Sequence, residues 1–293
     1  MNTPQQLHIP VLLQAVLDVL KPQKGEKYLD LTAGFGGHAK EVIALIGNAN
    51  LATLVDRDEA AVTALKPLAE AGARVIKNDY ADATHQLAEA GERFDLILLD
   101  IGVSSPQLDN ADRGFSFMQE GPLDMRMDRE TKLTANTIVN HASRDELMHI
   151  LRDYGEEPHA ARIAQAIVQA RPLQTTVQLA DVVTHVYRGR RGKTHPATRT
   201  FQALRIAVND ELRQLADSLP RVLELLNPGG RVAVISFHSL EDRLVKEFFL
   251  EQARAGYEAT LTLVNKQPIE GAMHDVHNPR ARSAKLRAAV KIK

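Results

Sequence analysis

The run Tyr28-Leu29-Asp30-Leu31-Thr32-Ala33-Gly34-Phe35-Gly36-Gly37-His38 constrains this chain more than any other. An apolar strand runs into a glycine-rich turn, and a helix follows at once with Ala39, Val42, Ile43 and Ile46 at helical spacing. Glycines at such a turn let the backbone approach a ligand, and the helix N-terminus adds free N–H groups. Asp56 closes the next apolar stretch, Leu51-Ala52-Thr53-Leu54-Val55. It lies about 20 residues beyond the glycines, where an acid takes the ribose hydroxyls of an adenosine. A glycine turn that only connects strand to helix would leave that acid unexplained. The pattern is Gly34-x-Gly36-Gly37 rather than G-x-G-x-x-G, and no G-x-x-x-x-G-K-[ST] run occurs. An adenosine cofactor without a pyrophosphate, such as S-adenosyl-L-methionine, therefore fits better than a dinucleotide.

Further strands alternate with helices. Strands are expected at 27–31, 51–55, 74–77 and 96–99, after a leading helix over 11–20, with helices starting near Gly37, Glu59 and Ala83. This rhythm predicts an α/β fold, a parallel sheet covered on both faces. Ligands of such sheets sit beyond the carboxyl ends of the strands, and Asp56, Asp79-Tyr80 and Asp100 each fall at such an end. Residues 107–200 show no convincing central strand. One amphipathic helix there carries Ile163, Ala164, Ile167 and Val168; another opens on a capping-box pattern, Thr175 and Gln178. The reading is an all-helical insertion over 107–200 between two parts of the sheet domain, 1–106 and 201–293. The second part begins with one long helix bearing Phe201, Leu204, Val208, Leu212, Leu215 and Leu219. Strands at 231–236, 259–264 and 284–292 and a helix over 240–249 complete it.

With 44% hydrophobic residues in 293, the chain can bury a sizeable core. It has no cysteine, which excludes disulfides and cysteine-held metals and agrees with a reducing cytoplasm. The first ten residues lack a signal-peptide core, and no apolar run is long enough to span a membrane. The net charge of −1 hides two basic stretches. One holds Arg188, Arg190, Arg191, Lys193, Arg199 and Arg205 without an acid; the other holds Arg280, Arg282, Lys285, Arg287, Lys291 and Lys293. Either alone reads as a solvated surface. Both beside a cofactor fold point to a polyanion such as nucleic acid.

The fourth strand leads into Asp100-Ile101-Gly102-Val103-Ser104-Ser105-Pro106-Gln107. Methylating an exocyclic base amine needs hydrogen-bond acceptors there, because the amine's lone pair is delocalised into the ring and must be oriented toward the methyl group. Asp, Ser, Gln and a proline-fixed carbonyl are suitable. The match to the Asp/Asn/Ser-Pro-Pro-aromatic motif of amino-methylating enzymes is partial, since a second proline and an aromatic are missing.

The chain resembles the bacterial 16S ribosomal RNA cytosine-N4 methyltransferase family, the MraW/RsmH type. The resemblance rests on His8-Ile9-Pro10-Val11-Leu12-Leu13, Thr32-x-Gly34-x-Gly36-Gly37-His38 and Asp100-x-Gly102-Val103-Ser104-Ser105-Pro106-Gln107. It continues through Arg113-Gly114-Phe115-Ser116-Phe117, Gly121-Pro122-Leu123-Asp124-Met125-Arg126-Met127 and Tyr154-Gly155-Glu156-Glu157. His195-Pro196-Ala197-Thr198-Arg199, Ile235-Ser236-Phe237-His238-Ser239-Leu240-Glu241-Asp242-Arg243 and Asn278-Pro279-Arg280-Ala281-Arg282 extend it nearly end to end.

The resemblance implies a Rossmann-like S-adenosylmethionine-dependent methyltransferase sheet with an inserted helical substrate domain. It implies N4-methylation of a cytidine in the decoding region of 16S rRNA, with the small ribosomal subunit as partner. By position, Gly36, Gly37 and His38 should hold the methionine end of the cofactor, Asp56 the ribose and Tyr80 the adenine. Asp100 and Gln107 should border the methyl group, and Asp100 is the candidate catalytic residue. Ser104, Ser105, His195, Arg199 and His238 are the candidate substrate contacts.

His38 has Glu41 one helical turn on, but no third ligand, so a hydrogen-bonding histidine is expected rather than a metal site. Glu156-Glu157 is expected to order the insertion, and Met118, Met125 and Met127 to pack. A membrane partner is not expected; an oligomer is open. Three other readings are weighed: a small-molecule methyltransferase, disfavoured by the basic stretches, a non-catalytic ribosome-assembly factor, disfavoured by the intact glycine turn and acidic strand ends, and an oxidoreductase. A nicotinamide-dependent oxidoreductase conflicts with the glycine spacing.

Overall fold

The computed structural model describes residues 10–187 and 194–293. The chain divides into two compact units, Met1–Gly102 with Arg213–Lys293, and Val103–Leu212. The second unit thus reaches beyond the 107–200 expected from sequence, because the helix Ala197–Asn209 belongs to it.

The first unit is built on one sheet. Its strands are β1 (Tyr28–Asp30), β2 (Ala52–Asp56), β3 (Arg74–Lys77), β4 (Phe94–Asp100), β5 (Leu226–Ser236), β6 (Leu261–Leu263), β7 (Ile269–Glu270) and β8 (Lys285–Lys291). The order is β3-β2-β1-β4-β5-β8-β6, with β7 also paired to β8. The first five strands run parallel; β8 is antiparallel to β5, β6 and β7. Strand order reverses about β1, since the chain steps outward to β3 and returns to β4 on the other side. That reversal opens a crevice beyond the carboxyl ends of β1 and β4.

Both faces of this sheet are apolar, as a parallel sheet requires. Leu96 and Leu98 of β4 join one core with Tyr28, Leu54, Ile235 and Leu286. Ile97 and Leu99 join the other with Leu29, Leu31, Val55 and Val234. Alternation along a strand sends neighbours to opposite faces, so each strand feeds both cores. Helices Leu13–Leu20 and Gly37–Ile46 cover the first face through Val16, Leu20, Val42 and Ile46. Helices Tyr80–Glu89, Glu211–Leu225 and Ser239–Arg254 cover the second through Leu87, Leu215, Leu219, Val245 and Phe249.

The single long helix expected from Phe201 to Leu219 is two. Asp210 takes a left-handed backbone, φ 54°, and its N–H closes on Ile206 O, ending Ala197–Asn209 before Glu211–Leu225 begins. The stretch Asn227–Gly230, expected as a turn, lies within β5, where the register against β4 shifts between Phe94 and Leu96.

The second unit is helical: Ser105–Asp109, Ala135–His141, Arg144–Gly155, Ala160–Ala170, Thr176–Val186 and Ala197–Asn209. The only strand-type pairing among its described residues is the bridge Pro122–Thr175. Its core gathers Leu147, Leu151, Ile163, Ile167, Leu179, Val183, Phe201 and Leu204. The capping box at Thr175 and Gln178 is present, and Ser143 and Glu146 form another. Gly155 is required by packing, since a Cβ there would sit 2.7 Å from Arg199 O. Asn209 stitches the loop before Ala135–His141: its Oδ1 accepts from Met127 N at 2.8 Å and its Nδ2 donates to Met125 O at 2.8 Å. Glu157 accepts the Tyr187 hydroxyl at 2.6 Å and His159 N at 2.9 Å, giving the acid pair a structural role. Met125 and Met127 are buried, but Met118 is 80% exposed and does not pack. No helix among the described residues is long and apolar enough to cross a membrane.

Candidate active site

The glycine turn follows β1 into the crevice. Gly34 and Gly36 have φ of 53° and 77°, the left-handed region that glycine enters without strain. Gly36 precedes the helix Gly37–Ile46, whose first N–H groups lack intrahelical partners. The reasons for the three glycines differ. A Cβ on Gly34 would meet only Thr32 O, at 3.9 Å, whereas one on Gly37 would lie 2.5 Å from Pro10 Cγ. Gly37 therefore lets the N-terminal segment close on the turn.

Asp56, at the end of β2, accepts Gly34 N–H at 2.8 Å on one carboxylate oxygen and Asp58 N–H at 2.8 Å on the other. It fixes the turn, and each oxygen keeps a second lone pair for a ligand hydroxyl. Burial pushes the Asp56 carboxyl up, against the two N–H bonds that favour its charge. Tyr80 opens the helix after β3 and is buried, 6% exposed.

A chain of hydrogen bonds runs between the ends of β1 and β4. The Tyr28 hydroxyl donates to Asp30 Oδ2 at 2.8 Å, and Thr32 N donates to Asp30 Oδ1 at 3.2 Å. Thr32 Oγ1 in turn accepts Asp100 N–H at 2.6 Å. Sequence reading missed Tyr28, Asp30 and Thr32 as members of the site. The available signal was that β1, like β2 and β4, ends in aspartate, with Tyr28 two residues earlier on the same strand face.

His38 Nε2 lies 3.0 Å from Val11 O, which can only accept, so Nε2 carries a hydrogen. Its Nδ1 faces Asp100 Oδ2 at 3.7 Å. Asp100 Oδ1 is buried and has no hydrogen-bond partner. Burial, Asp30 and Glu241 push Asp100 up to about 8. Burial pushes Asp30 up to about 7, the Tyr28 and Thr32 bonds opposing it and Asp56 adding to it. A cation or N–H donor beside Asp100 would satisfy the orphaned oxygen and restore the carboxylate. The amino group and sulfonium of S-adenosylmethionine, with a ribose on Asp56, fit this donor set.

In the first unit, His238 caps Ser239–Arg254 and its Nε2 stands 3.0 Å from Glu241 Oε1, with side chains 8% and 1% exposed. In the second unit, Gln107 is buried and its Oε1 accepts Ser104 N–H at 3.0 Å. Its carbonyl oxygen is thus committed to capping the helix that starts at Ser105, which is buried too. His195 and Arg199 are exposed at the start of Ala197–Asn209, and Arg199 NH1 donates to Glu156 O at 2.9 Å.

Of the two basic stretches, Arg188, Arg190, Arg191 and Lys193 lie outside the described residues, as do His8 and Ile9. The C-terminal one is largely spent inside the fold. Arg287 Nε donates to Asp242 Oδ1 at 2.6 Å, with Lys285 Nζ 3.4 Å from Oδ2. Burial opposes the charge on Asp242, yet Arg287 and Lys285 hold its carboxyl below the usual range. Lys291 Nζ donates to Leu223 O and Leu226 O at 2.9 and 2.7 Å. Lys285, Arg287 and Lys291 of β8 are thus bonded within the unit.

A doubly wound sheet of this order, with a glycine turn after β1 and acids closing β1, β2 and β4, defines a Rossmann-like S-adenosylmethionine-dependent methyltransferase. The profile of the MraW methylase family matches residues 5–292. Curated relatives agree in length as well as sequence. A protein of Heliobacterium modesticaldum, named ribosomal RNA small subunit methyltransferase H, is 48% identical over 98% of this chain and 99% of its own length. Proteins of the same name from Deinococcus radiodurans and a Synechocystis strain are 47% and 46% identical, covering 98% and 97% of this chain and 90% and 93% of theirs. The chain belongs to the MraW methylase family.

Proposed function

We propose that this enzyme methylates the exocyclic N4 of a cytidine in the decoding region of 16S rRNA, within the small ribosomal subunit and in the cytoplasm. The observation that carries the chemistry is Asp100 Oδ1, a buried acceptor without a partner at the end of β4. When bound, S-adenosylmethionine supplies a sulfonium methyl that needs no acid to leave, so positioning dominates the reaction. In this reading the first N–H groups at Gly36 and Gly37, with His38, face the methionine end, Asp56 takes the ribose hydroxyls, and Tyr80 lies at the adenine.

Asp100 Oδ1 accepts an N–H of the amine and turns the nitrogen lone pair toward the methyl carbon. S-adenosylmethionine would supply the methyl to this nitrogen and leave as S-adenosylhomocysteine, and Asp100 or water would take the proton that the methylated nitrogen loses. The base must leave its stack first, at a cost of about a few kcal/mol that loop RNA reduces. Gln107 at the cofactor, and Ser104, Ser105, His195, Arg199 and His238 toward RNA, follow from the family resemblance.

Single-turnover methyl transfer measured beside RNA affinity tests the role of Asp100. Asp100→Ala should slow transfer far more than it weakens RNA binding. Transfer near the wild-type rate removes Asp100 from the chemistry. An equal fall in cofactor affinity makes it a cofactor ligand only.

A further inference from the structure

The second unit carries an aromatic ladder that the transfer chemistry does not use. Phe201 is buried in its core, 4% exposed. Phe117 is half-buried and meets Phe201 edge-on, ring centroids 5.0 Å apart at 72°. His195 is exposed and lies on Phe117 face to face, centroids 4.6 Å apart at 24°. The ladder thus climbs from core to surface and ends in a flat exposed ring.

The imidazole is also held in its own plane. Ala197 N donates to His195 Nδ1 at 3.2 Å, which leaves the hydrogen of the neutral ring on Nε2. One face of the ring is covered by Phe117, while the residue as a whole is exposed. In sequence, Arg188, Arg190, Arg191 and Lys193 precede this histidine directly, and Arg199 follows it by one helical turn. Cations that track a backbone beside a rigid aromatic face are the two parts of a single-strand binding surface.

We propose that the Phe117–His195 stack is a platform on which one unstacked base of the RNA substrate lies. The proposal rests on the rRNA reading above and adds to it a stacking site. Phe201 and Phe117 set the tilt of His195 in advance, so little ordering accompanies binding. The contact uses a π-face, which every base has, so it grips the strand without selecting its sequence.

The test uses the full-length enzyme and unmethylated small subunits. His195→Ala and His195→Gln should each raise KM for subunits about tenfold, the scale of one lost base stack. Saturated kcat, S-adenosylmethionine affinity and Tm should stay as in the wild type. His195→Tyr and His195→Trp should restore KM to within about twofold of wild type, since a flat ring is what the site needs. Gln matching wild type, Tyr and Trp failing like Ala, or a parallel loss of Tm or cofactor affinity would each overturn the platform.

A second measurement does not depend on transfer. Fluorescence of 2-aminopurine in single-stranded RNA should be quenched by the wild type and by His195→Trp, and not by His195→Ala. Equal quenching by the Ala variant overturns the proposal. Quenching that depends on His195 in a protein that methylates no subunit would leave the platform standing and sink the rRNA reading.

Discussion

The backbone N–H of Gly34 is bound to the carboxylate of Asp56 across 22 residues, at 2.8 Å. The acid proposed to take the cofactor ribose is therefore also the anchor of the glycine turn. On the proposed function, cofactor affinity and turn stability are coupled at this one side chain.

Asp56→Ala should show both losses. Without the carboxylate, Gly34 N–H and Asp58 N–H lose their acceptor, and hydrogen bonds to a charged group are worth about 1.5–3 kcal/mol. Denaturant unfolding without ligand should report a loss of that order, and titration calorimetry a weaker S-adenosylmethionine complex. Asp56→Asn can satisfy only one of the two N–H groups and should fall between. A variant with wild-type stability and affinity would remove Asp56 from both roles.

Asp100 predicts a pH dependence of stability. Its carboxyl ionises at about 8 in the folded chain, against about 3.9 when unfolded. Between these values the folded state holds a proton that the unfolded state has released. Stability must then fall as pH rises from about 4 toward 8. Asp100→Asn removes the proton and that loss. Urea unfolding at pH 5 and pH 8 should show the variant gaining on wild type at the higher pH, on the order of a few kcal/mol. The same gap at both pH values would mean that Asp100 ionises as an ordinary carboxylate.

Gly37→Ala separates packing from ligand approach. The added methyl would meet Pro10 Cγ at 2.5 Å, and overpacking of this kind costs about 1–3 kcal/mol. Gly37→Ala with Pro10→Ala should recover most of the lost Tm, because the two residues share one space. Additive losses in the double variant would refute the contact as the cause.

The basic stretch before His195 should bind phosphates. Neutralising Arg190, Arg191, Lys193 and Arg199 together should weaken RNA binding and leave cofactor binding intact. Each lost phosphate contact should reduce the slope of log affinity against log salt by roughly 0.7–0.9. With Lys285, Arg287 and Lys291 spent inside the sheet unit, an unchanged slope would leave Arg280 and Arg282 as the exposed cations to examine next.

The sheet was legible because each parallel strand is a short apolar run closed by a polar residue, and the helix at Thr176 because its capping box is local. What failed was non-local or conformational. Apolar periodicity from Leu204 to Leu219 continues across the break at Asp210, and only its left-handed backbone separates the two helices. Thr32 reads only as part of the glycine run; its bond to Asp100 N–H, 68 residues on, appears only once β1 stands beside β4. The C-terminal cations read as a surface patch because the sequence does not reveal that β8 lies between β5 and β6.

The most direct measurement is to incubate the purified protein and labelled S-adenosylmethionine with unmethylated small subunits, then locate the label by nuclease digestion and mass spectrometry. One methyl per subunit is expected, on the exocyclic N4 of a single decoding-region cytidine of 16S rRNA, and much less with Asp100→Ala. A methyl on a ring carbon or a ribose oxygen, or no transfer by a folded protein that binds the cofactor, would contradict it.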